Sequence, residues 1–280
     1  MRLFWLIFVL IFGLGWGLSH AQVDSRPVVI ALFGDSITVG ENATSYYSEC
    51  TGGGNPLILQ FRPGFGNGRS NFCTPDRELQ RIMLEQNRPA IVVNHGIGGT
   101  LTATNNFNGV SRISGNLQFS RQQLPDGKAY FTLILYGTND TRSGVPPSVV
   151  AANINIMVAQ ARAVGWQPIV GALLPRSGVD VRPWNTQIRF VASAAGVPFV
   201  DHYTNFPADP VVGNFSQLEN EDNLGFGFLR LHPTQQGYTT VAQHWFDAAL
   251  QSLVEAIPEP ESSINLTPII MLLLDEDEQP

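Results

Sequence analysis

The chain has 280 residues, of which 44% are hydrophobic and 14% charged, and its formal net charge is −7. This length and composition suit one globular α/β domain with a sizeable core. The acidic balance argues against a nucleic-acid partner, because nucleic-acid-binding proteins cluster lysine and arginine. Neutral or weakly charged substrates are favoured instead.

The first predicted element is an export leader. A positively charged N-terminus precedes an unbroken apolar stretch over residues 3–18, and Ser19 and Ala21 supply the small −3 and −1 residues of a cleavage site. We expect cleavage after Ala21 and a secreted or periplasmic protein, with no membrane contact indicated for the mature domain. An uncleaved membrane anchor is the alternative, although the stretch is slightly short for a span.

The first predicted strand covers residues 28–34 and leads into Gly34-Asp35-Ser36. Its apolar, β-branched run is typical of a strand buried on both faces of a parallel sheet. The carboxyl end of such a strand lies where open parallel sheets hold their ligands. Ser36 is therefore a candidate nucleophile; the alternative role of a serine in this position is to cap a helix.

A segment rich in glycine and aromatic residues follows at about residues 42–74 and contains both cysteines, Cys50 and Cys73. Because export permits disulfides, we expect the two cysteines to pair and close this segment as an insertion, with two free thiols as the alternative. A closed loop of about 24 residues would stabilise the fold by roughly 3.5 kcal/mol in the chain-entropy model. A metal site here is disfavoured, since no histidine lies near either cysteine at ligand spacing.

The remaining elements alternate between strands and helices. Strands are predicted near residues 91–94, 130–136, 167–174 and 197–201, and helices near residues 75–87, 146–164, 183–195 and 234–254. This alternation predicts a parallel sheet with helices on both faces and right-handed crossovers. The predicted organisation is a leader over residues 1–21, one domain over residues 22–256 and a tail over residues 257–280. The apolar part of the tail is too short to span a bilayer.

Polar or glycine-rich exits follow three of the predicted strands. Ser36 follows the first strand, Gly99 lies in the loop after the second, and Asn139 follows the third. His232 lies in a turn before the last helix. These positions fall on the carboxyl edge of the predicted sheet, so one crevice could gather all four.

These motifs and their order resemble the SGNH, or GDSL-type, hydrolase family. The resemblance implies a three-layer α/β/α sandwich with a central parallel sheet in the flavodoxin-like order 2-1-3-4-5. It also implies that Ser36 is the nucleophile and His232 the general base. The oxyanion hole would consist of the backbone N–H groups of Ser36 and Gly99 and the side-chain amide of Asn139. Gly99 is preferred to Gly98 because the family's Asn-x-Gly-Ile-x-Gly block aligns with Asn94 through Gly99.

The sequence departs from this family at the acidic member of the triad. Family members usually carry an aspartate three residues before the histidine, and that position here is Leu229. Asp222 is a candidate replacement, although its acidic surroundings are typical of a solvated loop. We expect instead a Ser36–His232 dyad in which a backbone carbonyl orients the histidine.

Together these features predict an exported serine esterase that needs no cofactor or metal. The expected substrate is a small-molecule or polysaccharide ester, with short-chain or acetyl groups favoured and a lipase or lysophospholipase as the second possibility. A non-catalytic binding module that retains the fold is the alternative from another functional class, motivated by Leu229.

Overall fold

The computed structural model describes residues 26–40, 74–88, 90–103, 108–176, 178–206, 231–233 and 235–257. Arg26–Ala256 forms one compact unit. Residues 1–25, Cys50, Cys73 and residues 258–280 lie outside the described residues, so the leader, the disulfide and the role of the tail stay predictions. No helix in the described ranges is long and apolar enough to cross a bilayer.

Five parallel strands form the central sheet in the order β2-β1-β3-β4-β5, which confirms the predicted order 2-1-3-4-5. The strands are β1 (Val28–Gly34), β2 (Ala90–Asn94), β3 (Ala129–Leu135), β4 (Gln167–Gly171) and β5 (Phe199–Val200). β1 lies between β2 and β3, and its last residue, Gly34, is in register with Leu135 of β3. The chain therefore leaves β1 at the carboxyl edge of the sheet, with a strand on either side.

Helices connect the strands. In the described ranges they are α1 (Ser36–Val39), α2 (Pro75–Glu85), α3 (Gly109–Gln123), α4 (Thr138–Arg142), α5 (Pro147–Ala163), α6 (Arg182–Ala194), α7 (His202–Asn205), α8 (Gln235–Trp245) and α9 (Gln251–Glu255). A π-helical turn, Phe246–Leu250, joins α8 to α9. Helix α5 packs between α3 and α6, whereas α2 packs against α8.

The core forms on both faces of β1, whose seven residues are all buried. Val29, Ala31 and Phe33 share one apolar cluster with residues of α3, α5 and α6. The residues of β1 that lie between these three point to the opposite face of the sheet, because side chains alternate along a strand. Each fully buried apolar side chain of this size contributes about 1.5–3 kcal/mol, so burial holds β1 and its exit firmly in place.

Helix α3 is absent from the sequence prediction. Gly109, Gly115 and several serines lower the helix propensity of this segment. Two contacts compensate for this composition: the Asn108 side chain caps the helix by accepting a hydrogen bond from Ser111 N (2.8 Å), and Ile113 and Leu117 are buried one turn apart. Tertiary packing therefore overrides the local propensity.

Two strands are shorter than predicted. The strand predicted over residues 167–174 ends at Gly171, and the one predicted over residues 197–201 covers only Phe199–Val200. Ala172 N still donates to the carbonyl of Val200 in β5 (2.9 Å), and the residues beyond it remain buried outside the strand. Apolar composition indicated their burial correctly, but it does not distinguish a strand from a buried strand exit.

Candidate active site

The turn after β1 presents Ser36. The Asp35 side chain caps α1 by accepting a hydrogen bond from Ile37 N (3.1 Å), and Gly40 ends the single helical turn in a left-handed conformation. Ser36 is thus the first residue of α1, immediately after the carboxyl end of β1. Ser36 is only 4% exposed.

His232 contacts the Ser36 hydroxyl directly. Its Nε2 lies 2.8 Å from Ser36 Oγ, although the two residues are 196 positions apart in the chain. With the ring proton on Nδ1, Nε2 accepts the hydrogen bond that the hydroxyl donates. His232 is 5% exposed, so the pair is largely shielded from water. This is the geometry that a base-activated hydroxyl nucleophile requires.

The loop after β2 is tied to the turn that carries Ser36. Asn94 Nδ2 donates to the carbonyl of Thr38 in α1 (2.8 Å) and to Asp76 Oδ1 (2.8 Å). Ile97 N donates to the carbonyl of Gly34 (3.1 Å), so the loop runs beside the β1 exit. Gly99 follows with a φ of 72°, a left-handed conformation that favours glycine.

Asn139 reaches the same loop from α4. Its Nδ2 donates to the carbonyl of Thr100 (3.0 Å), which fixes the plane of the amide. An amide nitrogen carries two hydrogens, so the second can be donated elsewhere. Gly137, with a φ of 122°, makes the turn from β3 into α4. Asn139 and Gly99 therefore lie on two segments in direct contact, as an oxyanion hole built from both requires.

Two buried hydroxyl groups hold the loop after β2 in place, one from Tyr136, which follows β3, and one from Thr100 in the loop itself. Tyr136 Oη lies 2.6 Å from Thr100 Oγ1, and Thr100 Oγ1 lies 2.7 Å from the carbonyl of Ile97. Burial, the largest effect, raises the pKa of Tyr136 to about 12. The phenol is therefore neutral at ordinary pH and serves as a fixed hydrogen-bonding group.

These observations agree with a comparison against known families. A model of the GDSL-like lipase/acylhydrolase family matches residues 32–240, a range that includes Ser36, Gly99, Asn139 and His232. The chain belongs to this family. Membership in the GDSL-like lipase/acylhydrolase family supports an ester-hydrolase activity.

Solved structures of several esterases and lipases share the fold. Est24, a carbohydrate acetylesterase from Sinorhizobium meliloti, gives a TM-score of 0.55 at 14% identity, over 81% of this chain and 99% of its own. A lipase/acylhydrolase from Enterococcus faecalis gives a TM-score of 0.54 at 16% identity, over 84% of this chain and 100% of its own. The psychrotrophic esterase EstA from Pseudoalteromonas sp. gives a TM-score of 0.53 at 13% identity, over 80% of this chain and 98% of its own. Curated proteins give no sequence match to the chain.

The structure does not describe the candidate acid of this GDSL-like site. Asp222 and Leu229 both lie outside the described residues, so the acidic partner of His232 stays a prediction. The described part of the site consists of Ser36, His232 and the segments that carry Gly99 and Asn139.

Residues that the sequence analysis did not single out hold α4 in place. Asp140 accepts hydrogen bonds from Thr102, and Arg176 Nη1 donates to the carbonyl of Thr138 (3.0 Å) and to Thr141 Oγ1 (3.1 Å). Asp140 and Arg176 are both nearly fully buried. Their sequence signal is modest: each is a charged residue shortly after a long apolar run.

His95 lies in the loop after β2 but faces away from this chemistry. Its Nε2 lies 2.7 Å from Ser120 Oγ in α3, and both side chains are buried. Burial and then the charge of Arg112 lower the pKa of His95 to about 4. We therefore assign the His95–Ser120 pair a structural role.

His202 is a second buried histidine, at the start of α7. Its ring packs edge-on against Trp245, with centroids 4.5 Å apart, and stacks near His244 at 5.7 Å. Neither ring nitrogen has a hydrogen-bond partner among the described residues. Burial, followed by the neighbouring His244, lowers the pKa of His202 to about 3.

We expect His202 to make the protein acid-sensitive. Its pKa in the folded state lies below the unfolded value near 6.5, so its contribution to stability is complete above pH 6.5 and is lost as the pH falls toward 3. The loss approaches about 1.4 kcal/mol per pH unit for one such group. Urea unfolding of the wild type and His202→Leu between pH 7 and 4 should show the shallower pH dependence in the variant; equal slopes would refute this role.

Proposed function

We propose that the chain is a serine esterase that hydrolyses carboxylic esters through Ser36 with His232 as general base. The observation that carries the proposal is the 2.8 Å contact between Ser36 Oγ and His232 Nε2 at the carboxyl edge of the sheet. The contact between the Gly99 and Asn139 segments supports it further, because acyl transfer needs donors for a developing oxyanion.

The first half of the reaction acylates the enzyme. His232 Nε2 removes the Ser36 proton as Oγ attacks the ester carbonyl carbon, and the carbonyl π electrons move onto oxygen. The oxyanion accepts hydrogen bonds from the N–H groups of Ser36 and Gly99 and from Asn139 Nδ2. When the tetrahedral intermediate collapses, the C–O bond to the alcohol breaks. His232 then gives its proton to the leaving alkoxide.

The second half releases the acid. A water molecule loses a proton to His232 as its oxygen attacks the acyl carbon, and the same donors bind the second oxyanion. Collapse breaks the bond to Ser36 Oγ, which recovers its proton from His232. Every step uses these side chains, backbone N–H groups and water, so the scheme requires neither a cofactor nor a metal.

We infer a short-chain ester as the substrate, with acetyl groups on carbohydrate favoured. The carbohydrate acetylesterase Est24 among the structural neighbours supports this choice. The lipase/acylhydrolase from Enterococcus faecalis is the reason to retain a longer-chain lipid ester as the second candidate. Aromatic residues are frequent in the segment 42–74, which suits either a sugar-stacking wall or an acyl pocket.

A series of p-nitrophenyl esters beside acetylated xylan tests this substrate class. We expect hydrolysis of p-nitrophenyl acetate, a fall in kcat/KM as the acyl chain lengthens, and release of acetate from xylan. Rising kcat/KM toward long chains would support the lipid esterase instead. Absence of hydrolysis on every ester would support the non-catalytic binding module and contradict the proposed function.

The proposal includes export. The apolar run over residues 3–18 and the Ala21 cleavage site support a secreted or periplasmic location for the mature protein. An oxidising compartment favours a Cys50–Cys73 disulfide, which would close the segment that follows Ser36.

The missing acid gives a prediction about Asp222. We expect Asp222→Asn to change kcat by less than about tenfold, because the proposed dyad relies on a backbone carbonyl to orient His232. Steady-state kinetics on p-nitrophenyl acetate measure the effect, with the wild type assayed in parallel. A loss of about a thousandfold would show that Asp222 supplies the carboxylate that Leu229 cannot.

A further inference from the structure

The two segments that carry the candidate oxyanion donors meet through a pair of neighbouring side chains. Asn139 donates to the carbonyl of Thr100 (3.0 Å), and the next residue, Asp140, binds Thr102. Asp140 Oδ2 accepts from Thr102 N (3.0 Å), and Oδ1 accepts from Thr102 N (3.2 Å) and from Thr102 Oγ1 (2.6 Å). Helix α4 thus contacts the Gly99 loop at two successive positions.

The hydrogen bonds at Asp140 have a fixed direction. Asn153 Nδ2 in α5 donates to Thr102 Oγ1 (2.8 Å), so that oxygen acts as an acceptor toward Asn153. The single hydroxyl proton of Thr102 is then donated to Asp140. The backbone N–H of Thr102 can only donate. Asp140 therefore faces donors alone, and a carboxylate accepts at both of its oxygens, whereas an amide would place an N–H group against one of these donors.

Burial makes this match energetically important. Asp140 is 1% exposed, and Thr102 is fully buried. Burial, the largest effect, raises the pKa of the Asp140 carboxyl, and the hydrogen bonds from Thr102 oppose that rise. A carboxylate removed from water is costly unless it is hydrogen-bonded, so Asp140 and Thr102 hold each other firmly. Neither residue contacts Ser36 or His232 in any described hydrogen bond.

We propose that Asp140 is a positioning residue that sets the spacing of the oxyanion donors. Its contact with Thr102 holds the loop carrying Gly99 against the helix carrying Asn139. The inference rests on the proposed esterase function, because the spacing of these donors matters only if an oxyanion forms between them. Arg176 holds α4 as well, through its hydrogen bonds to Thr138 and Thr141.

Steady-state kinetics of variants of the full-length chain test this role. Asp140→Asn preserves the shape of the side chain but opposes an N–H group to the donors of Thr102. We expect kcat on p-nitrophenyl acetate to fall by about tenfold to a hundredfold, with KM changed by less than about twofold, because only the transition state uses the donors. Thr102→Ser, which keeps both the hydroxyl and the N–H, should retain kcat within about twofold of the wild type.

A double-mutant cycle with Asn139→Ala separates positioning from general destabilisation. If Asp140 acts through Asn139, the pair Asp140→Asn with Asn139→Ala should cost little more than Asn139→Ala alone. Glu78→Gln is the matched control, since it replaces another buried carboxylate, one that accepts from Thr239 Oγ1 (3.1 Å) between α2 and α8. It should lower Tm while leaving kcat unchanged.

Several results would overturn the inference. It is overturned if folded Asp140→Asn keeps the wild-type kcat or changes only in KM. It is also overturned if the losses in the double variant are fully multiplicative. If Asp140→Asn does not fold, Thr102→Val removes the shortest of the same contacts from the loop side, and an unchanged kcat there overturns the inference equally. An inactive wild type would instead refute the proposed function and the inference that rests on it, whereas activity lost in Ser36→Ala but kept in Asp140→Asn would refute only the inference.

Discussion

Ser36→Ala is expected to lower kcat on p-nitrophenyl acetate on the order of 10⁵-fold, and His232→Ala by a similar factor. The two side chains share one hydrogen bond of 2.8 Å, and neither can form the acyl-enzyme without the other. The double variant should therefore lose little beyond either single variant. Steady-state kinetics on the three purified proteins, with thermal unfolding as a check on folding, measure both expectations.

The molecule contains a matched control for this experiment. Ser120 of α3 and His95 form a second buried serine–histidine contact, at 2.7 Å, that includes neither Ser36 nor His232. Ser120→Ala removes a comparable hydrogen bond and is expected to lower Tm with no change in kcat. Activity retained in Ser36→Ala, or losses that multiply in the Ser36 and His232 double variant, would contradict the dyad.

Asn139→Ala is expected to lower kcat by about 10²- to 10³-fold with little effect on KM, as the loss of one oxyanion donor does in other hydrolases. The amide is held by Thr100 in an orientation that leaves its second hydrogen for the substrate. Because the ground-state carbonyl uses this donor less than the oxyanion does, binding of substrate should be almost unchanged. Substrate-dependent initial rates give kcat and KM separately.

Asn185→Ala serves as the control for the loss of a buried amide. Asn185 bonds both the N–H and the carbonyl of Leu173, so its removal should reduce stability rather than turnover. A change confined to KM in Asn139→Ala would assign Asn139 to substrate binding. Equal kcat losses in the Asn139 and Asn185 variants would show only a general disturbance of the fold.

Much of the fold followed from local pattern. The apolar run of β1 predicted a strand buried on both faces, and all seven residues of Val28–Gly34 are buried in a strand between β2 and β3. Helix α3 was missed because its glycines and serines disfavour a helix locally, while the contacts of Ile113 and Leu117 that stabilise it come from other elements. Such long-range contacts leave little trace in the propensity of a segment.

In the candidate site, too, some positions followed from local sequence pattern and others did not. Strand exits predicted that Ser36, Asn139 and the loop of Gly99 lie at one edge of the sheet, because parallel strands bring their carboxyl ends together. The roles of Asp140 and Arg176 were not predicted, since each depends on which backbone groups face a buried side chain. A hydrogen-bond partner such as Thr102, 38 residues away in the chain, has no periodic signal in the sequence.

Covalent trapping of the nucleophile tests the central claim most directly. A p-nitrophenyl alkylphosphonate should transfer its phosphonyl group to Ser36 Oγ with release of p-nitrophenolate, giving a stable adduct that resembles the tetrahedral intermediate. The account predicts one phosphonyl group per chain, located on the Ser36 peptide by mass spectrometry, with labelling strongly slowed in His232→Ala. Labelling of another residue, or equally fast labelling of Ser36→Ala, would contradict it.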